Sequence, residues 1–182
     1  VEGLPGEVIR ATHLMIVDSE AEAAPLVASA GFRTAQLISC KIGGGAGLWT
    51  DFDIHEDGYG RVVVAANGLA AGDLSRCIQR LQELGNYRNL ALLGLPVAQE
   101  AWSGLDGIEQ RLAEAGRALA ARSLRDDDLL MALTAETERL VTLESECDFR
   151  LNATAAYAEI VADRLRDLDV EPIEGFPSLR DF

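Results

Sequence analysis

The run from Asp126 to Asp169 constrains the fold of this chain more than any other stretch. Leu130, Leu133, Thr137, Leu140, Glu144, Cys147, Leu151, Thr154, Ala158, Val161, Leu165 and Leu168 follow one another at alternating steps of three and four. On an α-helix such positions form one stripe, and a stripe kept this long has the pattern of a coiled-coil seam. Asp126, Asp127 and Asp128 put negative charge where a helix N-terminus favours it. Thr137, Glu144 and Thr154 interrupt the stripe, as polar seam residues that set register or partner choice do. Leu105, Ile108, Leu112, Ala115 and Leu119 repeat at the same spacing within a helix expected over Val97 to Arg122. The expectation is a long antiparallel hairpin of these two helices. The overhang of the longer one would serve a homo-oligomer or a partner protein.

A third helix precedes them, with Leu74, Ile78, Leu81, Leu84, Ala91, Leu92 and Leu95 on its apolar stripe and Pro96 as its stop. Before Asn67-Gly68 the pattern is different. Val8 to Val17 reads as a buried strand. Ser19 with Glu22 makes a capping box for a short helix to about Ala30, with Pro25 inside it and Gly31 at its end. Thr34 to Ile42, Leu48 to Asp57 and Arg61 to Ala66 read as strands, and their short connections favour an antiparallel meander. The expected fold class is α+β: a small, mainly antiparallel sheet with a short helix, then three helices. Residues 1–68 would form the sheet head, incomplete at its N-terminus, and residues 69–182 the helical region.

The chemically suggestive stretch is GGGAGLWTDFDIHEDGYG, Gly43 to Gly60. Taken as a strand, Leu48 to Asp57 places Trp49, Asp51, Asp53, His55 and Asp57 on one face. An imidazole among carboxylates is a ligand set for a divalent metal, or a base whose pKa its neighbours raise. Asp51, His55 and Asp57 are the candidate metal ligands, with His13 or Glu56 as additions. The plainer alternative is the wet face of a half-buried antiparallel sheet. The glycine run does not fit a phosphate cradle. Leu48 stands where GxGxxG needs its third glycine, no GK[ST] follows, and a strand replaces the helix that would hold the phosphate. It reads as a hairpin connection or bulge, and Asp57-Gly58 as the next turn. Arg61, Tyr87 and Arg88 offer either an anion-binding edge or ordinary packing groups.

A formal charge of −14 argues against nucleic-acid binding and against an acidic membrane surface. Cys40, Cys77 and Cys147 are widely spaced, without CxxC, and read as small buried hydrophobes. No run approaches the roughly 20 apolar residues of a membrane span. No set of nucleophile, base and orienting group is legible, so no catalytic residue is assigned. No cofactor is expected other than the divalent metal of the alternative reading.

Three stretches, WTDFDIHEDGYGR from Trp49, CIQRLQELGNYRNLALLGLP from Cys77 and AAYAEIVADRLRDLDVEPIEGFPSLRDF from Ala155, resemble in this order the bacterial family called domain of unknown function 3422. LPGEVIRATHL at Leu4 to Leu14 does so more weakly. The family is described as predicted membrane-anchored proteins. The resemblance implies further N-terminal strands and C-terminal membrane segments outside this chain, at the cytoplasmic face of the bacterial inner membrane. It matches Trp49, Asp51, His55, Asp57 and Gly58, whereas the family is more often basic where this chain has Asp53. That leaves Asp51, His55 and Asp57 as the better metal set. The layout is analogous to CorA-like magnesium channels, an analogy that carries no function by itself. The resulting expectation is a non-enzymatic scaffolding or regulatory head and stalk, with a metal sensor or metal-dependent hydrolase around His55 as the alternative.

Overall fold

The computed structural model describes Val8 and residues 10–181. In chain order the elements are β1 (Thr12–Val17), α1 (Glu20–Ser29), β2 (Ile38–Ile42), β3 (Ala46–Thr50), β4 (Gly60–Ala65), α2 (Ala71–Leu92), α3 (Leu95–Ala120), α4 (Asp126–Asp167) and β5 (Glu171–Pro172). The five strands form one sheet in the order β1-β4-β3-β2-β5. β2, β3 and β4 make the expected antiparallel meander, and β1 runs parallel to β4. The class is α+β.

The described residues divide into two compact units, and the sheet unit is discontinuous in sequence: it runs to Leu90 and resumes at Tyr157. Successive residues of a strand face opposite ways, and both faces of this sheet are covered. Val63 and Ala65 pack with Ala23 of α1, joined by Met15, Val17, Leu26 and Trp49. Val62 and Val64, with Ile38, Cys40, Ile42 and Leu48, pack on Cys77, Leu81 and Leu84 of α2 and on Leu168, Val170 and Leu179. A half-wet sheet is therefore not what these strands build.

Ser19 caps α1, its Oγ accepting the Glu22 N–H at 3.4 Å while Glu22 reaches back to the Asp18 N–H. Ser19→Ala should cost about 1 kcal/mol, as lost N-caps do, read as a lower urea midpoint at unchanged slope.

Several sequence expectations change. The strand expected over Leu48 to Asp57 ends at Thr50, because Phe52 turns into the left-handed region at φ 52° and carries the chain out of the sheet. The one expected over Thr34 to Ile42 starts at Ile38, after a 3-10 turn at Thr34–Gln36. The strand expected from Val8 starts at Thr12, and its Ile9 lies outside the described residues, as does the start of LPGEVIRATHL. β5 and the tail were not foreseen. β5 pairs with β2, the Ser39 N–H donates to the Pro177 carbonyl at 3.1 Å, and Leu179 is buried.

α2 ends at Leu92 and α3 starts at Leu95. The break is at Leu93-Gly94, where Pro96 opens α3 and supplies no N–H to the turn before it. In the sheet unit, the end of α4 packs antiparallel on α2: Arg164 pairs with Glu83 at 2.5 Å, and the Tyr87 and Tyr157 rings stand 6.0 Å apart. The overhang expected to be free is thus partly taken up by α2. The second unit, Ala91–Ala156, holds α3 with the rest of α4. Arg111 meets Glu136 at 2.9 Å, Gly104 lies against Leu143, and the Thr154 hydroxyl donates to the Ala91 carbonyl at 3.3 Å. These pairs establish the expected antiparallel hairpin. Its inner face follows the expected seam only in part: Cys147 of the seam is buried, but so is Glu136 outside it, whereas Leu130, Leu133, Leu140 and Leu151 of the seam are exposed. No described helix is long and apolar enough to cross a membrane.

Candidate functional site

The chain between β3 and β4 is a loop whose carboxylates organise its own backbone. Thr50 Oγ1 donates to the Arg61 carbonyl at 2.9 Å and accepts the Phe52 N–H at 3.3 Å, which holds the turn out of β3. Asp51 Oδ1 accepts the Asp53 N–H at 3.2 Å, Asp53 Oδ1 the Ile54 N–H at 2.9 Å, and Asp57 Oδ1 the Tyr59 N–H at 3.1 Å. Short Asp side chains satisfy nearby N–H groups in this way wherever strands stop. The Gly58 N–H closes a turn on the His55 carbonyl at 2.8 Å, with Gly58 at φ 81°.

The loop sorts the expected ligands into two groups. In the first, Asp51 is buried and its Oδ2 accepts the Arg33 N–H at 3.1 Å. His55 Nε2 lies 3.3 Å from the same oxygen, and this buried nitrogen has no hydrogen-bond partner among the described residues. The Arg33 guanidinium pairs with Asp53 at 2.5 Å. In the second group, Asp57 Oδ2 meets Arg61 at 3.2 Å and His13 Nε2 at 3.7 Å, and the His13 ring lies 4.3 Å from that of Tyr59. The Tyr59 N–H, and after it the Arg61 guanidinium, hold the Asp57 carboxyl below its usual range. Asp51 and His55 are therefore brought together, and Asp57 goes to Arg61 and His13. Among the described residues, no three His, Cys, Asp or Glu side chains gather into a metal-ligand group. Glu56 is exposed.

A shallow cleft of about 460 Å³ opens beside the first group, lined by Gly31, Arg33, Asp53, His55, Glu56 and Arg61. Arg61 also donates to the Ala30 carbonyl, tying the loop to the end of α1. Arg88 lies 5.2 Å over the Phe52 ring, and burial lowers its pKa, so it packs against the loop's turn. Arg10 was missed in the sequence. Its guanidinium donates to the Gln82 carbonyl at 3.1 Å and rests on Gly85, where a Cβ would push it aside. Arg33 was missed as well, and nothing in its local sequence marks it. The Asp-x-Asp spacing of Asp51 and Asp53 did carry the signal of a turn.

The fold and the loop together define an α+β protein: a sheet covered on both faces, a carboxylate-organised loop, and a helical hairpin with an exposed apolar side. The family model for DUF3422, protein of unknown function, matches residues 1–182, and the chain belongs to that family. Comparison with curated proteins and with solved structures gives no match.

Proposed function

We propose that this chain is a non-enzymatic head and stalk that scaffolds or regulates by association through its helical hairpin. Its attachment to the cytoplasmic face of the bacterial inner membrane would come through segments outside this sequence. One observation carries the reading. In the second unit, buried apolar side chains are confined to Ile108 and Cys147, while Trp102, Leu130, Met131, Val141 and Phe149 are exposed. Exposed apolar surface on this scale marks an interaction site, and a helical bundle ordinarily buries such stripes between its helices. The loop supports the non-enzymatic part of the reading, because Asp51, Asp53 and Asp57 each accept backbone N–H groups, and Asp53 and Asp57 also pair with Arg33 and Arg61.

The test is binding of an anionic apolar dye to the dilute, monomeric chain. Strong fluorescence is expected, reduced by Met131→Lys and Phe149→Lys. A monomer that leaves the dye dark would remove the reading.

A second reading rests on His55 Nε2, buried 3.3 Å from Asp51 and without a hydrogen-bond partner among the described residues. Asp51 and His55 would share a divalent ion, which activates water or reports metal level. Asp57 would then have to leave Arg61 to join them. On this reading, titration with Mg²⁺, Mn²⁺, Zn²⁺ or Ca²⁺ should raise Tm for one ion and not for His55→Ala, since a ligand of the native state alone stabilises it. A flat response to every ion counts against it.

A further inference from the structure

We infer that a second copy of this chain covers one side of the hairpin, so that two hairpins close into a four-helix bundle. The inference rests on the association reading above and names its partner. The apolar ladder comes from both helices. On α3 it is Leu105, Leu112 and Leu119, which are 38%, 37% and 48% exposed; on α4 it is Leu130, Leu133 and Leu140, at 66%, 43% and 40%. The register set by Gly104 against Leu143 and Arg111 against Glu136 brings Leu105 level with Leu140 and Leu112 level with Leu133. Leu119 and Leu130 follow, seven and three residues further toward the connection between α3 and α4.

On each helix the ladder lies roughly a fifth of a turn from the residues that face the other helix, counted in the same sense along the chain. Because the helices run antiparallel, equal rotations bring both ladders to the same side of the hairpin. The other side carries Arg111, Glu138, Arg139, Thr142 and Glu146, and its exposed apolar residues, Met131 and Phe149, stand one at each end, seven residues from Glu138 and Thr142. The leucine side is the longer continuous apolar run, drawn from both helices, and has nothing of its own unit upon it.

Charge and area point to a second copy. A chain of formal charge −14 repels its twin everywhere except on a face almost free of charge. The seam positions of α4 up to Leu151 carry no Lys or Arg and the single carboxylate Glu144, so they give a basic partner little to recognise. The 26 residues of α3 span roughly 39 Å, and two helices side by side are about 20 Å across. That face of roughly 800 Å² matches the ~800 Å² per partner of a standard stable interface. A two-fold axis through the ladder puts the same leucines on both sides, as a self-complementary interface requires.

The purified 182-residue chain tests this by sedimentation equilibrium from low to high micromolar concentration. The expected result is a dimer of twice 19.5 kDa, with Kd raised at least about 100-fold by Leu112→Lys/Leu140→Lys at unchanged circular dichroism. Leu105→Lys/Leu133→Lys serves as a second disruption of the same face should the first pair lose helix, and Glu138→Lys on the other side should leave Kd within a few-fold. Trp102, exposed in the monomer, should shift its emission to the blue on association. A dimer that survives both leucine pairs overturns the assignment of this face. A chain that stays monomeric but lights the apolar dye in a leucine-dependent way overturns the second copy and leaves association with another protein standing. A monomer dark to the dye overturns both.

Discussion

Replacing Asp51 with alanine is expected to cost about 3 kcal/mol of stability. Asp51 is the fixed point of the loop after β3: its side chain is fully buried, and its two oxygens accept N–H groups from Arg33 and Asp53 at 3.1 and 3.2 Å. Arg33 lies 18 residues earlier, so one carboxylate fastens the end of the α1 connection to the exit from the sheet. Alanine leaves both donors facing a space that water fills poorly, and each unsatisfied buried donor costs about 1–3 kcal/mol. Asp51→Asn keeps one acceptor and should cost about half as much. Urea unfolding followed by Trp49 fluorescence measures the difference. A loss below about 1 kcal/mol, small by the measure of a broken buried network, would mean that Arg61 and Thr50 hold the loop without Asp51.

Gly43→Ala is expected to have a similar effect for a different reason. Gly43 begins the turn between β2 and β3 at φ 58°, and its N–H donates to the Leu168 carbonyl at 2.7 Å. A Cβ there would run into Cys77 Sγ, which is itself buried in the core beneath the sheet. The left-handed backbone costs a non-glycine residue about 1 kcal/mol, and forcing a methyl into a filled core typically adds 1–3 kcal/mol. The total is about 3 kcal/mol by those figures. Placing the same change in a Cys77→Ala background separates the two terms. The steric part should vanish and the backbone part remain, a coupling that a double-mutant cycle reads directly. Equal losses in both backgrounds would assign the whole effect to φ.

The glycine run shows how far local sequence reaches. Its rejection as a phosphate cradle and its reading as a hairpin connection need only the spacing of Gly43, Gly45 and Leu48, and the structure builds a tight turn between β2 and β3 there. That Gly43 also gives room to Cys77 depends on α2 lying across the sheet, which no window around residue 43 contains. The acidic strand is the converse case. Alternation from Leu48 to Asp57 fits a strand in every local respect, but the Asp side chains take the backbone N–H groups that a ladder would have needed. Phe52 then rotates out of the extended region with Thr50 accepting its N–H. Asp51 and His55 still meet, by a turn of the loop and not by strand geometry.

The long helices divide in the same way. The length of α4, its acidic start, the break at Pro96 and the capping box at Ser19 are set by periodicity and by terminal N–H groups, both of them local properties. Periodicity marks an apolar stripe without saying what lies against it. In the second unit the inner face of α4 is set by Arg111 against Glu136 and Gly104 against Leu143, and this turns the leucines of the seam outward. The sequence by itself determined which segments are helix and strand and where most of them end. The tertiary structure alone decided which stripe is inside, where β3 leaves the sheet and which partners the loop carboxylates keep, because those outcomes depend on contacts between residues far apart in the chain.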